Sequence, residues 1–192
     1  SDLIMNISKQ TYAIVDEVSK RKPRTDWDST YVPHGINTDL FYPIPPLHEE
    51  YEEVMEMKKQ IFSIQNTDDI EFVLFYNNRN IRRKMTSDAL LAFQEFRNRL
   101  PKEKQDKVAF LLHTQPMDEN GTDLRRLVRH LMPECNIVFS QDKLTSKKLN
   151  QMYNVADVTI NIASNEGFGL GTAESLISGT PIIVNITGGL QD

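Results

Sequence analysis

Between residues 71 and 186 short apolar runs alternate with amphipathic stretches, and most of the runs carry few polar interruptions. Glu71–Tyr76, Val108–His113, Asn136–Ser140, Asp157–Ala163 and Ile182–Ile186 read as strands. Between them, residues 88–100, 123–132, 146–155 and 169–178 carry apolar residues at helical spacing, such as Leu124, Leu127, Val128 and Leu131. Near-continuous apolar strands need cover on both faces, which means parallel strands joined by crossover helices. The predicted fold is an α/β, doubly wound parallel sheet with right-handed crossovers.

Punctuation supports these boundaries. Thr122 is a predicted N-cap, Pro101 and Pro133 are stops, and Gly179 sits past a helix end. Upstream, residues 3–7 read as a strand, Ser8 as a cap, and a helix follows through Ile14, Val15 and Val18. The basic run Lys20-Arg21-Lys22-Pro23-Arg24 ends that helix, as a solvated loop or an anion site. Pro33, Gly35 and the stiff Pro43-Ile44-Pro45-Pro46 mark residues 33–46 as a hinge or linker. Another helical pattern starts near Leu47 and runs through Tyr51, Val54 and Ile61. The chain stops just after the last strand, at Gly188-Gly189-Leu190-Gln191-Asp192, which predicts a domain truncated at its C-terminus.

Composition removes several classes. A net charge of −5 disfavours nucleic-acid binding through bulk charge. No apolar run approaches the ~20 residues of a membrane span, and no signal peptide is legible at the N-terminus. The single Cys135 precludes an internal disulfide and fits a reducing, cytoplasmic setting, where it reads as a packing residue. The histidines lack ligand spacing, so no metal site is expected; no Walker-type Gly-Lys-Ser/Thr is present.

Ligands of an open α/β sheet bind beyond the carboxyl ends of its strands. Asn77–Lys84 places four cations in six positions there, a setting for phosphate or simply a solvated basic loop. Asn165-Glu166-Gly167-Phe168-Gly169-Leu170-Gly171-Thr172-Ala173-Glu174 joins a strand to a helix. Glycines admit close approach to the backbone, and free amides at a helix start attract phosphate. Glu166 and Glu174 are suited to accept from sugar hydroxyls; alternatively Glu174 complements the helix dipole and the glycines make a tight turn. Two further loops, Thr187-Gly188-Gly189 and Ser140–Leu144, offer weaker signals: a close backbone approach and a polar edge for a base.

Four segments in this order resemble family 4 retaining glycosyltransferases of the GT-B fold. Glu166-Gly167-Phe168-Gly169 through Glu174 resembles that family's Glu-x7-Glu motif, and Glu174–Val184 its helix, Gly-x-Pro turn and strand. Residues 32–41 resemble the segment that opens its second domain, and Arg79 and Lys84 match the spacing of its diphosphate-binding pair. The resemblance implies a Rossmann-like half that binds a nucleotide-diphospho-sugar donor, UDP- or GDP-linked, with no other cofactor. It implies residues 1–32 as a remnant of the acceptor-side domain, 33–46 as hinge and 47–192 as the donor-binding domain. Arg79 and Lys84 would hold the diphosphate and Glu166 the transferred sugar, the three forming the catalytic set. Gly167, with the amides of Phe168, Gly169 and Leu170, would lie along phosphate or sugar, Glu174 would accept from ribose, and Ser140 and Leu144 would touch the base. Retention by a covalent intermediate or by same-face attack stays open, so Glu166 is not assigned as a nucleophile. The acceptor, a sugar, lipid or protein, would be set by the missing N-terminal domain. Any membrane association would come through the full-length protein, and the isolated chain is expected to be weakly active or inactive. Asn77-Asn78 departs from the small residues common before the family's Arg, and a Glu often found after the paired glycines is absent. The alternative reading is a non-catalytic nucleotide-sugar-binding or regulatory module.

Overall fold

The computed structural model describes residues 3–21, 27–63 and 69–192, and the Lys22–Arg24 part of the basic run lies outside them. The chain begins with a small βαβ unit: β1 (Leu3–Asn6), α1 (Lys9–Arg21) and β2 (Asp28–Tyr31), with β1 and β2 paired in parallel. The Ser8 hydroxyl accepts from the Thr11 amide, as its capping position predicts. β2 was not expected, because Asp28-Ser29-Thr30-Tyr31 has no apolar run; its partner strand and the amide of Asn6, bonded to Ser29 Oγ and the Thr30 carbonyl, hold it in register.

The main body comprises α2 (Tyr51–Ser63), β3 (Phe72–Asn77), α3 (Thr86–Arg99), α4 (Lys102–Gln105) and β4 (Val108–His113). It continues with α5 (Leu124–Leu131), β5 (Asn136–Ser140), α6 (Ser146–Val155), β6 (Val158–Asn161), α7 (Leu170–Ile177) and β7 (Ile182–Val184). The five strands form one parallel sheet in the order β5-β4-β3-β6-β7. Its two faces carry separate cores. Val73, Phe75 and Leu111 pack with Val54 and Phe62 of α2 and Met152 and Tyr153 of α6. Leu74, Tyr76, Phe110 and Leu112 pack with Ala89, Leu90 and Phe93 of α3 and Leu124 of α5. The sheet is therefore doubly wound, and the direction in which successive strands are added reverses between the parallel neighbours β3 and β6. The loops after those two strands flank the switch point, where this fold class opens a crevice.

Several local expectations are corrected. Asp123, not Thr122, caps α5 by accepting from the Arg126 amide; the Thr122 hydroxyl accepts from Ser87 instead. Leu131 is exposed, because the helix ends there and Met132 leaves the helical path (φ −144°) to fill the core. α2 starts at Tyr51 rather than near Leu47, after a turn in which the His48 amide donates to the Pro45 carbonyl. The second half of residues 33–46 is anchored: Phe41 and Ile44 are buried, and the amides of Tyr42 and Ile44 donate to Asn150 and Asn154 of α6. β7 is short and at the sheet edge, so Ile183 stays exposed. Gly179 follows α7 with φ +83°, the left-handed position expected of a helix C-terminus.

Candidate functional site

The loop after β3 is bent into a single 3-10 turn, Arg82–Lys84, and then through Met85 at φ 55°, ψ 36°. A non-glycine residue in this region carries a strain of order ~1–3 kcal/mol, sustained by its surroundings. Tyr76 supplies much of that support from below. Its buried hydroxyl lies 2.6 Å from Thr86 Oγ1 and donates to the Lys84 carbonyl at 3.2 Å. Asn80, also buried, ties the loop to its neighbour: its amide donates to the carbonyls of Pro116 and Thr122 and accepts from the Thr122 amide. Lys84 is thereby buried and aimed across the switch point.

The loop after β6 comes to meet it. Glu166 is only 8% exposed in its side chain, and Lys84 only 10%. The Lys84 ammonium donates to Glu166 Oε1 and, at 2.7 Å, to Asn78 Oδ1. Asn161, buried at the end of β6, donates to the same Glu166 oxygen at 3.1 Å and to Thr172 Oγ1. Arg83 donates to the Asn165 carbonyl and stands 3.7 Å from Glu166 Oε2. Gly169 precedes α7 with φ +92°, a conformation that leaves the first amides of the helix facing outward. Gly188 lies so close to this loop that a Cβ there would stand 1.7 Å from the Glu166 carbonyl. The paired glycines thus serve a close approach, between two loops of the chain itself.

These groups surround one cavity of about 340 Å3, lined by Asn78, Lys84, Asn161, Glu166, Phe168 and residues 169–171. Ile7 of the N-terminal unit and His34 of the 33–46 segment close it on the far side, with His34 edge-on to Phe168 at 5.2 Å. Cation, carboxylate, amide side chains and a helix N-terminus therefore converge on a small volume. A larger hollow of about 540 Å3 lies between the β3–α3 loop and residues 120–122, lined by Asn80, Ile81 and Arg82 of the basic loop but by none of Arg79, Lys84 or Glu166.

The predicted residues fall in four places. Lys84, Glu166, Phe168, Gly169 and Leu170 line the cavity together, with Gly167 inside the same turn and packed against Ile7. Glu174 lies one helical turn further along α7, half-buried, and accepts from the Tyr153 hydroxyl at 2.8 Å. Burial pushes its pKa up, partly opposed by that hydrogen bond. Arg79 is not in the cavity lining. It is 61% exposed and forms a two-point contact with Asp118 of the β4–α5 loop, at 2.7 and 3.2 Å. Ser140 and Leu144 line a separate, mainly apolar groove of about 360 Å3 with Met57, Ile61 and Met152. Sequence reading missed Asn161, Tyr76, Tyr153 and His34. A hint for Asn161 existed, since an amide ending an apolar strand must find partners.

A family model described as family 4 glycosyltransferase in conflict systems matches residues 46–192. The chain belongs to this glycosyltransferase family. No curated protein matches it. Solved structures share the architecture of this chain. Sucrose-phosphate synthase from Thermosynechococcus elongatus superimposes with a TM-score of 0.68 at 23% identity, over 100% of this chain and 42% of that one. HepE from Anabaena, solved with UDP-glucose, gives 0.73 at 16% identity over 100% and 46%. The C-terminal domain of a group 1 glycosyl transferase from Francisella tularensis gives 0.57 at 20% identity over 78% and 70%. The chain spans less than half the length of the first two. The fold of this chain thus matches a Rossmann-like half of the GT-B architecture. Among its described residues no cluster of three His, Cys, Asp or Glu forms, and no helix is long and apolar enough to cross a membrane. Cys135 is half-buried, and burial raises its thiol pKa, which is unlike an activated nucleophile.

Proposed function

We propose that this glycosyltransferase chain binds the donor of a retaining sugar transfer, a nucleotide-diphospho-sugar linked to UDP or GDP. The observation that carries this reading is the meeting of Lys84, Glu166 and the α7 N-terminus around one cavity at the switch point. The diphosphate is met by Lys84 and the outward amides of residues 169–171, and Glu166 and Asn161 accept and donate toward hydroxyls of the transferred sugar. When the glycosidic bond breaks, negative charge grows on the leaving diphosphate. Fixed cations and amides aimed at that charge stabilise the transition state more than the ground state, without calling on a metal ion. Glu174 accepts from ribose, and the Ser140–Leu144 groove takes the base on its apolar floor.

Arg79 joins the diphosphate by leaving Asp118. Arg79 is 61% exposed and free to swing, while Asp118, 10% exposed, keeps the Asn120 amide as a donor after the exchange. The N-terminal βαβ unit is proposed as part of the acceptor-side domain, residues 33–46 as the hinge, and a reducing cytoplasmic compartment as the setting. The acceptor is a sugar, lipid or protein held by that other domain. HepE, which shares this fold, is solved with UDP-glucose, and that supports a nucleotide-sugar as the donor here.

The test is a thermal-shift titration with UDP-, GDP- and ADP-sugars, alongside Glu174→Ala and Arg79→Ala. A donor at 100 times its dissociation constant stabilises by about 2.7 kcal/mol, a rise of roughly 5–10 °C for a chain of this size. A rise with one base, reduced in both variants, supports the assignment. No rise with any donor sinks it.

A further inference from the structure

Tyr153 belongs to α6 but acts at α7. It is fully buried, and its ring is held edgewise between Phe41 (5.3–6.1 Å is the range of its two ring contacts) and Phe75. Its hydroxyl accepts from the Asn77 side-chain amide at 2.8 Å and donates to Glu174 Oε2 at 2.8 Å. A phenol has one proton. With the amide donating from one side, that proton points at the carboxylate. Burial and the nearby Glu174 charge both push the Tyr153 pKa up, so the phenol keeps its proton and donates throughout the ordinary pH range. The contact also requires Gly171: a Cβ at that position would come within 3.2 Å of the Tyr153 oxygen and 3.4 Å of the Asn77 carbonyl.

Glu174 is therefore fixed at one oxygen. Among the described residues Oε1 accepts no side-chain or backbone hydrogen bond, and it is the oxygen left for a ligand. A carboxylate held this way presents one acceptor in a defined direction, whereas a free glutamate at a helix start would sample several rotamers at an entropic cost on binding.

We infer that Tyr153 is the positioning residue that aims Glu174, and that through it the site selects nucleotides carrying free ribose hydroxyls. The inference rests on the proposed reading of Glu174 as the ribose acceptor, and the experiment separates the two. Calorimetric affinities of the chain are measured for UDP and GDP and for their 2′,3′-dideoxy counterparts, with Tyr153→Phe, Glu174→Gln and the double variant. The ring of Phe fills the same space, and melting curves confirm that each variant folds. The expected result is that wild type prefers the ribonucleotide and that Tyr153→Phe weakens it about tenfold, the scale of a hydrogen bond to a charged group. The dideoxy affinity stays within about twofold, and Tyr153→Phe adds no further loss in the Glu174→Gln background. Tyr153→Phe that weakens both nucleotides equally, or neither, overturns the role of Tyr153 alone. A wild type that binds neither nucleotide, or fails to discriminate against the dideoxy forms, overturns the reading of Glu174 and with it this inference.

Discussion

Replacing Lys84 by Met isolates the interaction at the centre of the site. The side chains of Lys84 and Glu166 are about 10% and 8% exposed, so both charges are largely withdrawn from water. In the variant Glu166 retains the Asn161 amide at 3.1 Å and a guanidinium, that of Arg83, at 3.7 Å. Removing one partner of a buried pair costs about 3–5 kcal/mol, because an uncompensated charge stays behind. Arg83 is 47% exposed and free to close on the carboxylate, which places the cost near the lower end, about 3 kcal/mol. In a chain of this length each kcal/mol moves Tm by roughly 2–4 °C, so the expected fall is about 6–12 °C. The double variant Lys84→Met with Glu166→Met removes both charges and is expected to recover most of the loss. Scanning calorimetry of the wild type and the two variants reads this directly. A single variant melting within about 2 °C of wild type, or a double variant less stable than Lys84→Met, would refute the claim that the pair is desolvated and mutually dependent.

Asp118→Asn removes the charge that holds Arg79 while keeping a side chain able to accept from the Asn120 amide, so donor affinity is expected to rise up to a few-fold; calorimetric titration with a nucleotide-sugar checks it, and a weaker donor would count against Arg79 as a phosphate ligand. Gly188→Ala places a Cβ 1.7 Å from the Glu166 carbonyl at a backbone φ of +50°; the loop must move, and a loss of about 1–3 kcal/mol with weaker donor binding is expected from denaturant melts and titration. For Glu174 the raised folded pKa means that the native state holds its proton more tightly than the unfolded chain. Wild-type stability therefore falls as pH rises from the ordinary value of 4.5 through the raised value, and the whole penalty is present above it. Glu174→Gln lacks that slope, so its Tm advantage over wild type should grow across this window and then level off, while nucleotide binding weakens. A difference that is flat, or largest in acid, would contradict the burial of this carboxylate.

The five strands, their crossover helices and the turn Glu166–Glu174 were legible from spacing alone, because burial on both faces, fullest in β3 and β4, demands continuous apolar runs and helices demand periodic ones. The sites that failed were those where local pattern and tertiary demand diverged. β2 is polar and exists through its pairing with β1, and Leu131 lost its core place because the helix ended one residue before Met132 turned inward. Asp123 outcompeted Thr122 as cap because Thr122 was already engaged by Ser87 and Asn80.

The sequence by itself determined which residue types stand at the carboxyl ends of β3 and β6, since these follow from strand and turn signals that act over a few neighbours. Only the tertiary structure decided which of them meet. Strand order β5-β4-β3-β6-β7 brings together loops 82 residues apart, so that Lys84 bonds Glu166, and α6 packs beside α7 so that Tyr153 reaches Glu174. It also turned Arg79 toward Asp118, at equal spacing in the motif but on an exposed side chain free to choose its partner. Pairing of charges depends on direction and on access to water, and neither is written in the spacing of residues along a chain.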